Sequence, residues 1–489
     1  MLPWLSAPNT ALVVLLMLSA GAVAAPLAPV GGEDATAALS DAGGSVIAYV
    51  SSSTDNQAIR LVNPDGTGDR AFWRVPTASE PGDGIGTLSW HPDGAELLFD
   101  SGHDWQRSMA IRDLYAVTPD GSRFRRVSSP PGPNEYGPYP TGTVTFIVDA
   151  IEQGDVQIYI DGAAEPVKYS AGLYDVYRIT QTVADLGDGV RQYIRLWDPE
   201  TYSYPCHFSA NGWVDVVPGQ VNDLGTLYFG AVSSDFACPR MFSATWFHDG
   251  SRLLYLFREA TPDASPENNL WQIATRAPVN TIGSRVLDMN AYTAPGKLYR
   301  AVMGPTAAQA DQMLFLQNQA LSDVVFYGTT ANAASSRSIN LGRCPQVTCD
   351  LLDVAWLPDG SGFVLARYEH EALSTPVGAL YRYTFADQRL TAIVRLPGEA
   401  IGKLAVAPDG EAIVFERGPF VAGTTDQVYW GPAVQCPCEL WRVQSDGSGL
   451  RQLVADGRAP AWGRLAPGAG PEPDPNLTPR AWLPFVGAK

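Results

Sequence analysis

The sequence predicts an all-β protein: a six-bladed β-propeller of four-stranded antiparallel blades, with an inserted β-sandwich domain. Three observations predict it. An Asp-Gly hairpin recurs along the chain. Turn formers are abundant, with 47 Gly and 39 Pro among 489 residues, which favours many short strands over long helices. The two ends of the repeat array are incomplete in complementary ways.

The hairpin is the primary signal. Leu88-Ser-Trp-His-Pro-Asp-Gly-Ala-Glu-Leu-Leu-Phe99 recurs as Ala244-Thr-Trp-Phe-His-Asp-Gly-Ser-Arg-Leu-Leu-Tyr255. It recurs again as Val354-Ala-Trp-Leu-Pro-Asp-Gly-Ser-Gly-Phe-Val-Leu365 and as Leu404-Ala-Val-Ala-Pro-Asp-Gly-Glu-Ala-Ile-Val-Phe415. An apolar strand ends in a turn where Pro presets φ, Asp bonds its own backbone and Gly supplies positive φ. A second apolar strand then returns, which makes a β-hairpin. Further hairpins follow, such as Asp113 to Val127 and Glu439 to Leu453. Two hairpins make one four-stranded propeller blade.

Spacing counts the blades. Trp356 to Val406 is 50 residues, Val406 to Trp462 is 56, and Trp246 to Trp356 is 110. The double interval predicts a blade around Met303 that lacks the Pro-Asp-Gly turn, with strands at 312–316 and 323–327. The hairpin begun at Trp462 does not return, whereas strands at 45–50, 58–62 and 69–73 lack a first strand. One C-terminal and three N-terminal strands would close the ring and remove both sheet edges. The blades are then those around Trp90, Trp246, Met303, Trp356, Val406 and Trp462. The pattern resembles the TolB-like six-bladed propeller built from PD40 (WD40-like) repeats. The departures are the turnless third blade and His248 in place of Pro.

Residues 141–231 break the period. Segments 143–148, 156–162 and 192–197 alternate or run apolar at strand length. The stretch Val214-Asp-Val-Val-Pro-Gly-Gln-Val-Asn-Asp-Leu-Gly225 resembles the ending of carboxypeptidase regulatory-like (prealbumin-like) β-sandwiches. The predicted organisation is a signal peptide at 1–25, a propeller at 45–135 and 232–464, the sandwich at 141–231, and a Pro-rich linker with an apolar tail at 465–489. The signal rests on the apolar run 11–24, too short to span a bilayer, and on Ala22-Val23-Ala24. Export to the cell surface or beyond is the expected localisation, with no transmembrane span. A net charge of -18 disfavours nucleic acid or an anionic membrane as partner.

An even number of cysteines behind an export signal suggests disulfides. Cys344 and Cys349 lie close enough to pair locally, Cys436 and Cys438 could close only a small ring, and Cys206 and Cys238 would be left to each other. Six cysteines allow fifteen connectivities, so proximity alone orders these pairs.

The tight turns fall on one face of the disc, and the long loops at 100–110, 258–268, 366–378 and 416–437 fall on the other with the insert. Function sits on loops held by a rigid scaffold, so the loop face is the expected ligand face. His103, Trp105, His370 and Trp430 lie in those loops, and loop aromatics can stack on sugars or anchor a partner. No G-x-S-x-G elbow, H-E-x-x-H pair or phosphate loop is present. No catalytic residue, metal ligand or cofactor site is therefore expected. TolB-like propellers also precede the catalytic domain of prolyl-oligopeptidase-like peptidases. The roughly 25 residues after the last strand are too few for that domain. The expectation is a secreted, non-enzymatic scaffold that recognises a protein or an extracellular glycan. The alternatives are a propeller-type polysaccharide lyase or hydrolase, and a structural protein of cell-envelope attachment.

Overall fold

Each repeat of the sequence becomes the first two strands of a four-stranded antiparallel sheet, and six such sheets follow one another in a ring. The computed structural model describes residues 44–465 except 52–57, 75–83, 104–111, 122–123, 128–139, 150–153, 161, 164–166, 172–175, 186–191, 198–211, 229–239, 259–267, 276–282, 288–296, 320–321, 342–348, 370–374 and 423–432. The predicted signal segment and the 465–489 tail fall almost wholly outside the described residues. Among the described residues no helix is long and apolar enough to cross a membrane.

Blade 1 comprises Leu88–Trp90, Leu97–Ser101, Asp113–Val117 and Phe124–Arg126. Blade 2 comprises Arg240–Trp246, Arg252–Arg258, Asn268–Ala274 and Ser284–Leu287. Blade 3 is Lys297–Met303, Gln312–Gln319, Ser322–Thr329 and Arg337–Ser338. Blade 4 is Cys349–Trp356, Gly362–Glu369, Val377–Thr384 and Arg389–Pro397. Blade 5 is Ala400–Val406, Ala412–Gly418, Glu439–Gln444 and Arg451–Val454. Blade 6 joins the two ends of the array: Arg458–Arg464 pairs antiparallel with Ser45–Val50, and Ala58–Val62 and Arg70–Arg74 complete the sheet. The first strand of every blade contacts the next blade, including blade 6 against blade 1, so the ring closes.

Blade 3 is complete although it lacks the turn signal. A short 3-10 helix, Ala307–Gln309, replaces the Pro-Asp-Gly turn there. Gly304 is needed because a Cβ would run into the Gln309 carbonyl.

The repeated Trp serves two purposes. In Trp90, Trp246 and Trp356 the indole is buried and its Nε1 donates to the preceding blade's innermost strand at one recurring register position, whereas Trp462 Nε1 donates to Ser45 Oγ of its own sheet. Trp246 donates to Ser89 O at 3.0 Å, Trp90 to Ala461 O at 3.2 Å and Trp356 to Val302 O at 3.3 Å. The turn Asp residues are local, as their spacing implies. Asp249, Asp359 and Asp446 each accept from the backbone N–H two residues on. His91 contacts Asp93 and packs edge-on against Trp246, and His248 sits 3.1 Å from Pro305 O. Both histidines are structural.

Between blades 1 and 2, residues 141–228 form a four-stranded and a three-stranded sheet. The first orders Val167–Ala171, Gly154–Ile160, Gln192–Trp197 and Gly212–Val214. The second orders Val176–Ala184, Thr141–Asp149 and Val221–Tyr228, the last pair parallel. Val144, Phe146 and Val148 of the second meet Ile158, Ile160 and Ile194 of the first in one apolar core.

Cys436 and Cys438 are disulfide-bonded, with Cα atoms 4.3 Å apart. Cys349 is also in a disulfide. Cys206, Cys238 and Cys344 lie outside the described residues.

Candidate functional site at the channel mouth

The innermost strands are regular at their turn end and irregular at their loop end. The ladder slips between the first two strands of five blades, at Phe242/Thr245, Leu298/Arg300, Leu351/Asp353, Ile401/Leu404 and opposite Ala48/Val50. In blade 1 the ladder resumes past Thr87, where Gly86 N donates to Asp100 O. A bulge re-aims a side chain that the pleat would otherwise bury against the neighbouring sheet. The residues at the slip, three before the repeat Trp or its equivalent, are Thr87, Ser243, Arg300, Asp353, Lys403 and Ala459. Ser243 and Ala459 have φ of 52° and 50° there, a left-handed conformation uncommon outside glycine.

Polar contacts stitch these positions from blade to blade. The Arg300 guanidinium bonds Asp353 Oδ1 at 2.6 Å and reaches Ser243 Oγ at 3.4 Å. Asp353 Oδ2 accepts from Leu404 N at 2.9 Å. Glu416 Oε2 accepts from Lys403 N at 3.0 Å and Oε1 from Ala459 N at 2.6 Å. Arg458 donates to Ile85 O at 2.7 Å. Asp100 Oδ1 accepts from Thr87 N at 2.8 Å and Thr87 Oγ1 at 2.6 Å, and its other oxygen meets Arg112 Nε at 2.5 Å. Met241 N then donates to Arg112 O. Buried carboxylates held this way satisfy the bulged N–H groups that lose their ladder partners.

A cavity of about 180 Å³ opens inside this collar. It is lined by Gly86 and Thr87 of blade 1, Leu352 of blade 4, and Gly402, Lys403 and Glu416 of blade 5. Arg458 and Ala459 of blade 6 complete it, with Ala433, Val434 and Cys436 from the long loop of blade 5 as one wall. The space exists because two inner strands carry glycine where others carry Phe242, Tyr299, Leu352 and Arg458. Each glycine sits over a carboxylate: a Cβ on Gly86 would strike Asp100, and one on Gly402 would strike Glu416. Burial pushes the Glu416 carboxyl above the usual carboxylate range, against the opposing pull of the Ala459 and Lys403 N–H groups and the Lys403 and Arg458 charges. A buried carboxyl whose proton affinity is raised is a candidate general acid.

The expected ligand residues fare differently. His103 is half-buried. Its ring stands among Trp73, Tyr115 and Phe124 between blades 6 and 1, and its Nδ1 lies 3.1 Å from Ser101 Oγ. Trp105, His370 and Trp430 lie outside the described residues. Among the described residues, no group of three His, Cys, Asp or Glu is placed to hold a metal.

Glu416, Lys403, Arg458 and Asp353 were not singled out from the sequence, yet a signal was there. Glu416 occupies the register position where the other repeat copies have Asp100, Leu256 and Ala366. A carboxylate stands there in two of the four copies, each beneath an inner-strand glycine, and this pairing of Gly86 with Asp100 and Gly402 with Glu416 was the readable signal.

No family model matches the chain, and no curated protein matches it. Solved structures do. The chain is similar to an oligogalacturonate lyase in complex with manganese, at 12% identity over 84% of each chain with a TM-score of 0.35. It is similar to prolyl endopeptidases at 12% identity over 84% of this chain and 50% of that one, with a TM-score of 0.37. It is also similar to the β-propeller domain of the Trilobed protease from Pyrococcus furiosus, at 9% identity over 84% of this chain and 92% of that one, with a TM-score of 0.36. At such identity the likeness is one of fold, a β-propeller. It also corrects the expectation of a non-enzymatic binding scaffold. The names attached to these propellers are those of a lyase and peptidases.

Proposed function

We propose that the protein is an enzyme that cleaves an acidic polysaccharide by β-elimination at the channel mouth. The observation that carries this reading is the grouping of one buried carboxyl, Glu416, with Lys403 and Arg458 on one cavity. Glycoside hydrolysis ordinarily uses a pair of carboxyl groups across the bond. Among the described residues lining this cavity, Glu416 is the one carboxylate, which favours elimination over hydrolysis.

In the proposed step Arg458 pairs with the carboxylate of a uronate residue, which acidifies the adjacent C–H. Lys403, in the neutral amine form that a base requires, takes that proton and becomes an ammonium, and the electron pair forms a carbon–carbon double bond as the glycosidic C–O bond breaks. Glu416 delivers its proton to the departing oxygen. Ala433, Val434 and Cys436 supply a wall for the sugar.

The finer structural readings belong to this proposal. The Asp-Gly turns support a TolB-like propeller, and the strand count supports a carboxypeptidase regulatory-like insert at 141–231. The apolar run 11–24 and the Cys436–Cys438 disulfide support an extracytoplasmic location, where such bonds persist. The partner is then an extracellular glycan.

The test is incubation of the purified protein with polygalacturonate, alginate and a neutral glycan, following ultraviolet absorbance of the unsaturated uronide. Absorbance growing with a polyuronate alone supports the reading. New reducing ends without that absorbance, or no turnover of any polyuronate, refutes it.

A further inference from the structure

We infer that the Cys436–Cys438 disulfide is a thiol-exchange site, reached through the channel-mouth cavity by a small anionic thiol. The placement of the two sulfurs differs. Cys436 is half-buried and lines the cavity, whereas Cys438 is 1% exposed and packed in the core shared by blades 4 and 5. Of the two cysteines, only Cys436 lines the cavity, so a reagent entering it comes up against Cys436 and not Cys438.

The chain around the bond is held independently of it. Ala433–Val434 pairs with Phe420–Val421, Gln435 N donates to Pro419 O, and Gly457 N donates to Cys438 O. Exchange at sulfur leaves these backbone bonds intact, so the wall need not unfold. The cavity also selects the reagent. Lys403 and Arg458 line the same space, and a positively lined cleft concentrates anions.

The chemistry balances with the thiol as reductant. A thiolate attacks Cys436 Sγ, the Cys436–Cys438 bond breaks, and its electron pair leaves on Cys438 Sγ, which takes a proton from water. The product is a mixed disulfide on Cys436 and a thiol on Cys438. A second thiolate releases the oxidised reagent and leaves the dithiol. While it lasts, the adduct occupies the cavity and blocks whatever binds there. This inference rests on the cavity and its two cations, not on the elimination reaction, and a failure of either leaves the other standing.

The experiment treats the native protein with mercaptoacetate or with cysteamine, thiols of similar size and opposite charge. The reaction is quenched in acid, remaining thiols are alkylated in denaturant, and adducts are mapped by peptide mass spectrometry. The expected result is an adduct on Cys436, formed at least about tenfold faster with mercaptoacetate when each rate is divided by that thiol's rate with a free small-molecule disulfide, which removes the difference in thiolate fraction. That preference should fall in Lys403→Met. An adduct on Cys438, equal normalised rates for the two thiols, or modification only after urea unfolding would overturn the inference.

Discussion

The two ends of the innermost strands behave differently. At the turn end three of the six blades, 1, 2 and 4, repeat one solution. Trp246, Trp90 and Trp356 donate to the same register position of the preceding blade, and the turn Asp residues bond two residues ahead. At the loop end the bulge residue differs in every blade. The equivalent positions hold Thr87, Ser243, Arg300, Asp353, Lys403 and Ala459, and each junction is closed by a different polar contact. Repetition marks what every blade needs in order to pack. Loss of repetition under the same backbone constraint marks residues selected for something else, and the cavity lies there.

This contrast can be broken most sharply at Glu416. Glu416→Gln keeps the shape and removes the transferable proton, so turnover of a polyuronate should fall by roughly 10²- to 10⁴-fold, measured as kcat with substrate binding followed separately. The same variant tests the burial of the carboxyl. A raised pKa in the folded state means that the folded protein holds the proton more tightly. The stability contribution is then full below about pH 4.5, the ordinary value, and declines as pH rises through the higher folded value. Urea titrations across pH should show the wild type losing ground to Glu416→Gln as pH rises. A pH-independent difference between the two would refute the assignment.

At the turn end, Trp356→Ala removes a buried indole and its bond to Val302 O. It should cost about 3–5 kcal/mol in denaturant unfolding. Retention of near-wild-type stability would show that the indole does not join the blades.

Between these extremes, Gly402→Ala brings a methyl onto Glu416 and Val434. Overpacking of this kind costs about 1–3 kcal/mol. It should also close the cavity, so binding of a small uronate, followed by calorimetry, should weaken more than stability does. The smallest effect is expected at Asp359→Ala. The turn is exposed and solvent competes for its hydrogen bonds, which limits the loss to under about 1 kcal/mol. The bonds from Ser361 hold the Asp359 carboxyl below the usual range. That small contribution is present above pH 3.8 and disappears as pH falls through the lower folded value. Activity should be unchanged.

Much of the scaffold was legible because it is built from local rules repeated along the chain. The Asp-Gly turns, the strand pairs and the split sixth blade are all readable from spacing. Blade 3 was placed by its interval, though the 3-10 helix that closes its first hairpin left no turn signature. The site was not legible in the same way. His103 and the loop tryptophans drew notice as chemistry-bearing types in loops, yet His103 packs among Trp73, Tyr115 and Phe124. Glu416 and Lys403 lie inside strands of the repeat itself, where alternation leads one to expect core or surface and not a channel.

The linear sequence therefore determined the periodic part: the all-β class, the blade count, and the closure of the ring by strands from both ends. Those follow from short-range turn chemistry and a fixed interval, which are properties of neighbours along the chain. The cavity depended on three-dimensional packing. It brings together residues from blades 1, 4, 5 and 6, separated by up to several hundred positions. It also depends on bulges that turn side chains toward the axis, and on two glycines whose missing Cβ atoms leave room. None of these is a local property. A bulge is a slip between paired strands, and an empty volume is a relation among all the surfaces around it.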